Sequence, residues 1–211
     1  MIRGKATEFN AFTEIEKTLN HREWSIQKLN LNPQSNTLDE DISITHKRTG
    51  LIFKVESKNA VRGSMRTGER SKVVAVPHCR IKCHRSRSNI KLAGTSNDRY
   101  SIDCFDIIIS NFYNAIIQGS TISERLELLS DNKVIGILKK YYGVDNDEEL
   151  VKSAHEDWRF AFPRDIAEQG FIPRTPYVKL ENDPNWHPLK LLEEKLVILV
   201  QEKITSKSQR R

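Results

Sequence analysis

The stretch Asp41-Ile-Ser-Ile-Thr-His46-Lys-Arg-Thr-Gly50-Leu-Ile-Phe-Lys-Val55-Glu-Ser-Lys58-Asn59 decides the expected fold. Its first residues alternate polar and apolar. Lys47-Arg-Thr-Gly50 carries turn chemistry, and Leu51 to Val55 returns as an apolar run, so the segment reads as a β-hairpin. Side chains alternate along a strand, which puts Glu56 and Lys58 on one face. A turn near Arg48 and Thr49 pairs residues whose numbers sum to about 97, so Asp41 stands opposite Glu56 within a register slip or two.

Two carboxylates and one ammonium then converge at one sheet edge. Asp41 and Glu56 with the Ser57 carbonyl make an oxygen-rich site suited to Mg²⁺. Such a cation polarises a phosphoryl oxygen and acidifies water, and Lys58 can orient or help deprotonate that water and can offset charge building on the phosphate. These residue types point to metal-dependent hydrolysis of a phosphodiester. The competing reading is a surface hairpin with salt-bridging charges.

The charge distribution agrees with a polyanionic substrate. Residues 57–97 hold ten basic side chains and one acid, Glu69, or +9, while the whole chain carries 34 basic and 28 acidic residues, or +6. The remainder is therefore about −3. A field of one sign over this length is what phosphate binding requires. Arg62, Arg66, Arg80 and Lys82 are candidate nucleic-acid contacts. Arg85, Arg87 and Asn89 join them, since they share one side of an extended segment and offer two forks and an amide to a groove edge.

Around the hairpin, Thr7 to Leu19 has a helical stripe of Phe9, Phe12, Ile15 and Leu19. Residues 30–37 and 59–72 read as loops. Lys72 to Cys83 is β-rich, with Pro77 marking an edge, and Ser101 to Ser110 reads as a largely buried strand. Helices are expected over Ile122 to Tyr142, Asp147 to Phe160 and His187 to Ile204. The order of elements predicts an α/β or α+β fold, with a catalytic core over residues 1–120 and a helical part over 121–211 packed on it. With 211 residues, three cysteines and no apolar run of about 20, a cystine scaffold and a membrane-spanning chain are excluded. Met1 to Asn20 carries acids, unlike a secretory leader. No phosphate-cradling Gly-rich loop and no Cys-x-x-Cys pair is present.

Asp41-Ile-Ser-Ile, the short hairpin, and Val55-Glu-Ser-Lys-Asn59 resemble the catalytic core of the PD-(D/E)XK nucleases, the restriction-endonuclease-like superfamily. The resemblance covers about residues 7–118. It implies a core with a central mixed β-sheet flanked by helices, metal ligation by Asp41 and Glu56, and a catalytic role for Lys58. The proline that often precedes the family's Asp is replaced by Leu38-Asp-Glu-Asp41, so Asp39, of the same parity as Asp41, is an alternative first carboxylate. A further Glu on the first helix is implied, with Glu8, Glu14 and Glu16 as candidates. The resemblance further implies a Mg²⁺-dependent endodeoxyribonuclease of the prokaryotic cytoplasm, a type II restriction enzyme acting on double-stranded DNA as a homodimer. A structure-specific nuclease and a non-catalytic nucleic-acid-binding protein are the alternatives.

Four further features have plainer readings. In Pro77-His-Cys-Arg-Ile-Lys-Cys-His84, alternation places Cys79, Ile81 and Cys83 on a core face, with His78, Arg80, Lys82 and His84 as a basic stripe on the other, rather than around zinc. Asp106 reads as a capped or paired strand residue. Gln118 follows that strand at a place where the superfamily sometimes has a Gln. Trp24, Trp158 and Trp186 read as packing residues.

Overall fold

The hairpin forms where the alternation demands it and becomes the middle of a larger sheet. The computed structural model describes residues 2–28, 41–69, 72–84, 98–118 and 127–208, with side chains from residue 6 to residue 206. Helix α1 (Ile2–Thr18) leads into β1 (Trp24–Lys28), β2 (Ile42–His46) and β3 (Leu51–Ser57). Next come β4 (His78–Arg80), β5 (Ile107–Asn111), α2 (Tyr113–Ile116), β6 (Ile117–Gln118) and β7 (Glu127–Leu128). Helices α3 (Asn132–Tyr142) and α4 (Asp147–Glu156) precede β8 (Trp158–Ala161) and α5 (Pro163–Ile166). The chain continues through β9 (Tyr177–Lys179), β10 (His187–Pro188), a 3-10 turn and α6 (Leu192–Ser208). The fold is mixed α+β, with a central mixed six-stranded sheet flanked by helices.

Strand order in that sheet is β1-β2-β3-β5-β8-β10. Ile42 pairs with Val55 and Ile44 with Phe53, so partner numbers sum to 97 as the turn position required. Gly50 closes the turn at φ +69, and its N–H donates to the His46 carbonyl at 2.9 Å. Strand β3 then pairs in parallel with β5, setting Glu56 beside Ile108 and Ser57 beside Ile109. The other neighbouring pairs of the sheet are antiparallel.

All five residues of β5 are buried, as an apolar central strand requires. Its side chains divide between two cores. Ile107 and Ile109 join Ile42, Ile44, Phe53 and Val55 under Ala11 and Ile15 of α1 and Leu196 of α6. Ile108 faces the other side, with Phe112, Ala115, Val134, Leu138, Leu150 and the two cysteines Cys79 and Cys83. Trp24, Trp158 and Trp186 are all buried in these cores. Ile15 and Leu19 of the helical stripe are buried, but Phe9 is 57% exposed and lies instead under the Lys28 ammonium.

Several segments depart from the sequence expectation. The helix beginning at Asp147 stops at Glu156, and Trp158-Arg-Phe160, expected as helix, belongs to strand β8 beside β5. Tertiary burial decides this: Trp158, Phe160 and Ala161 fill the cores, and buried Arg159 is held by Asp157, the Tyr141 hydroxyl and the Leu180 carbonyl. The final helix starts later than expected, because His187–Pro188 is an edge strand on β8. Strands from the C-terminal part thus complete the sheet that carries the hairpin. Residues 72–83 contribute only the three-residue β4, paired with β9 outside the central sheet. Gly68 is required in the loop before it: φ is +89, and a side chain there would collide with the Val76 main chain.

Candidate active site

The end of the hairpin brings the expected trio together. Asp41, just before β2, and Glu56, in β3, are 5% and 7% exposed. The Ser57 N–H donates to Asp41 Oδ2 at 2.8 Å, which fixes the carboxylate across the strand pair. Lys58 Nζ donates to Glu56 Oε1, as the two-residue spacing on one face predicts. The same ammonium donates to the Tyr100 hydroxyl at 3.3 Å and sits 4.7 Å from that ring's centre. The backbone continues the parallel pairing here, with the Lys58 N–H donating to the Ile109 carbonyl at 2.9 Å.

A third carboxylate stands nearby. Glu8 on α1 acts electrostatically on Asp41, and its Oε2 is buried with no hydrogen-bond partner among the described residues. Of the three first-helix candidates, Glu8 is therefore the one at the site; Glu14 is engaged with Lys17 on the surface. Sequence alone gave no basis for that choice, because it depends on how α1 lies over the sheet. Tyr100 had no sequence signal at all. Asp39 lies outside the described residues.

Burial, then the Glu56 and Glu8 carboxylates, push the Asp41 carboxyl up to about 8, against the smaller opposing effects of the Ser57 N–H and Lys58. Burial alone would lower the Lys58 ammonium. The Glu56 carboxylate and the Tyr100 hydroxyl override it and hold Lys58 above the ordinary lysine value. Lys58 is thus a fixed cation in this arrangement, fitted to donate hydrogen bonds and offset negative charge rather than to accept a proton at neutral pH.

The plainer reading of Asp106 holds at this strand region. Asp106 is at the far end of β5, accepting from the Lys54 N–H and from Lys203 Nζ, and takes no part in the trio. Gln118 accepts from the Ser130 N–H at 3.0 Å and fastens its own loop. Cys79 and Cys83 are fully buried, and burial pushes the Cys83 thiol up to about 12. The stripe opposite them is interrupted: His78 is buried, not outward-facing, because β9 packs its Tyr177 ring edge-on at 5.3 Å and the His78 Nδ1 pairs with the Val76 carbonyl.

Among the described residues, these basic side chains divide between two clefts. Arg62 and Lys82 line a cleft of about 730 Å³ that also borders Asn59 and α1. Arg66 and Arg80 line a second one of about 630 Å³, with Glu69, Asp131 and Lys133. Arg66 is tied by its guanidinium to the carbonyls of Gly63 and Met65, while Arg80 and Lys82 are exposed. Arg85, Arg87 and Asn89 lie outside the described residues.

The donor set fits a hard divalent cation in part. Among the described residues, no group of three His, Cys, Asp or Glu side chains stands in a metal-holding arrangement. The Asp41–Glu56 pair, with the Ser57 carbonyl and water, matches what Mg²⁺ accepts, since that ion commonly takes one or two carboxylates and keeps several waters. The orphaned Glu8 oxygen and the raised Asp41 are the marks of a carboxylate cluster short of positive charge. No helix among the described residues is long and apolar enough to cross a membrane.

No protein-family model matches this chain, and no curated protein matches it. A solved structure similar to it is that of a bacterial homing endonuclease, I-Ssp6803I, with 12% identity and a TM-score of 0.40, covering 97% of this chain and 94% of that one.

Proposed function

We propose that the chain is a metal-dependent endonuclease that hydrolyses DNA phosphodiester bonds at the Asp41–Glu56–Lys58 cluster. The observation that carries this reading is the burial of two carboxylates, Glu56 in β3 and Asp41 at the entry to β2, with the Glu8 charge acting on Asp41 and a lysine fixed as a cation. Such a cluster is electrostatically costly for a fold and is a recurrent mark of a working site. Asp41, Glu56 and the Ser57 carbonyl would hold the cation, Mg²⁺ by the all-oxygen donor set. That ion supplies Lewis-acid polarisation of a phosphoryl oxygen and neutralises charge in the transition state.

The protein's own groups do the rest. Lys58, held by Glu56 and Tyr100, is placed to donate to a phosphoryl oxygen as charge builds there. The Ser57 N–H keeps Asp41 aimed at the site rather than into solvent. Arg62 and Lys82, just beyond the trio, bind flanking phosphates. The finer reading, drawn from the resemblance at Asp41 and Glu56-Ser-Lys58, is a sequence-specific type II restriction enzyme acting on duplex DNA as a homodimer, since two strands need two sites.

The test incubates purified protein with plasmid and phage DNA, with Mg²⁺ or with EDTA. Discrete fragments with Mg²⁺ alone support the finer reading. A smear, or cutting confined to branched or supercoiled DNA, supports a structure-specific nuclease. Cleavage in EDTA, or full cleavage by Glu56→Gln, refutes the metal assignment. Binding without cutting under every divalent cation tried refutes the enzyme.

A further inference from the structure

The cleft bordered by α1 and by the segment that follows Lys58 carries a chemistry of its own. Its lining neighbours the site in sequence: Asn59 and Arg62 follow Lys58 in the chain, and Asn10 lies on α1 two residues past Glu8. Among the described residues that line it there is no Asp or Glu, although the chain has 28 of them. Arg62 and Lys82 supply positive charge to the lining.

The lining also holds amides whose orientations are set by hydrogen bonds. Asn59 Oδ1 accepts from Thr7 Oγ1 at 2.7 Å and from Asn114 Nδ2 at 2.8 Å. Both lone pairs of that oxygen are used, so the amide cannot flip, and its NH₂ is the group left to meet a ligand. Asn10 Nδ2 pairs with His155 Nε2 at 3.2 Å, and the Tyr113 ring meets the His155 ring edge-on at 5.5 Å. Prearranged amides next to aromatic rings suit the hydrogen-bonding edge and the face of a nucleobase. Cations suit the phosphate attached to it. The volume, about 730 Å³, lies in the range of small-molecule sites and is ample for one nucleotide.

We propose that this cleft is a subsite for a single nucleotide swung out of the base stack, next to the scissile phosphate, with its base on Asn59, Asn10 and His155 and its flanking phosphate on Arg62 and Lys82. The inference rests on the nuclease reading for the identity of the neighbouring phosphate and deepens it by naming the substrate feature that the site selects. A perfect duplex must spend a few kcal/mol to unpair and unstack that nucleotide, whereas a nucleotide already unpaired does not. A duplex with one bulged nucleotide is therefore bound tighter than the same duplex without it, by on the order of 10- to 100-fold.

The experiment measures binding by fluorescence anisotropy in EDTA, so that no cleavage intervenes. The probes are a labelled perfect duplex and the same duplex with one extra unpaired nucleotide. The expected result is the preference above for the full chain and its loss in Asn59→Leu, through weaker binding of the bulged probe. Asn59 also pins Thr7 and Asn114, so Asn10→Leu provides a second variant should Asn59→Leu fail to fold. Equal binding of the two probes overturns the inference, as does a preference that survives in both folded variants. The two readings fail separately: bulge preference without cleavage under any divalent cation leaves the cleft and removes the nuclease, and Mg²⁺-dependent cleavage without bulge preference does the reverse.

Discussion

Replacing Asp41 by Asn separates the electrostatic price of the site from its chemistry. Asn keeps an oxygen to accept the Ser57 N–H and cannot ionise. In the metal-free fold the Asp41 carboxyl stands at about 8, against 3.8 for an unperturbed group. Between those values the folded state holds a proton that the unfolded state has released. Stability from this group is therefore complete below the lower value and is lost as pH rises toward the upper one, at about 1.4 kcal/mol per pH unit. From about pH 5 to pH 7 the loss is about 2.7 kcal/mol, and for a chain of this size it lowers Tm by roughly 5–10 °C. The assay is thermal unfolding in EDTA across that range. Asp41→Asn should lose most of the decline, so that the gap between variant and wild type widens with pH. Saturating Mg²⁺ should raise the wild-type Tm at pH 7 and leave the variant nearly unmoved. Parallel Tm curves for the two proteins in EDTA would refute the electrostatic reasoning, whatever the variant does to cleavage.

Other substitutions divide the site from its surroundings. Lys58→Met should reduce Mg²⁺-dependent cleavage by about 10²–10³, the usual loss for one transition-state donor, while the Kd for DNA changes far less; single-turnover rates and anisotropy check it. Asp106→Asn keeps an acceptor for the Lys54 N–H and gives up only a part-exposed pair with Lys203, so unfolding should shift by no more than about 1 kcal/mol and cleavage should persist. Gly68→Ala, at φ +89 against the Val76 main chain, should destabilise by more than about 1 kcal/mol in a denaturant titration.

What the sequence disclosed and what it hid divide by distance along the chain. The hairpin was legible because alternation, turn residues and the two-residue spacing of Glu56 and Lys58 are local, and the register followed from the turn. The pairing of β3 with β5 joins Val55 to Ile107 and leaves no local trace. Strand β8 was misread because a well-capped acidic helix runs almost directly into it, with only Asp157 between, and four residues cannot outweigh that signal until β5 supplies a partner. Strand β1 is five residues with a single strong apolar alternation and passed unmarked. Outward-facing His78 was the expectation of simple parity; Tyr177, ninety-nine positions later, covers it. The acid-free cleft has walls from α1, the segment after β3, α2 and α4, so no window of sequence contains it.

The place of β5 between β3 and β8 bears on how the protein is made. A ribosome completes the charged hairpin and then the run Ile107 to Ile109 about fifty residues before it delivers Trp158 to Ala161. During that interval one side of the fully buried strand β5 has unpaired amides and no cover, the arrangement that recruits strands from neighbouring chains. Elongation rate between those two points, and fragments ending before Trp158, should therefore govern yield in the cell more than any substitution on the finished surface.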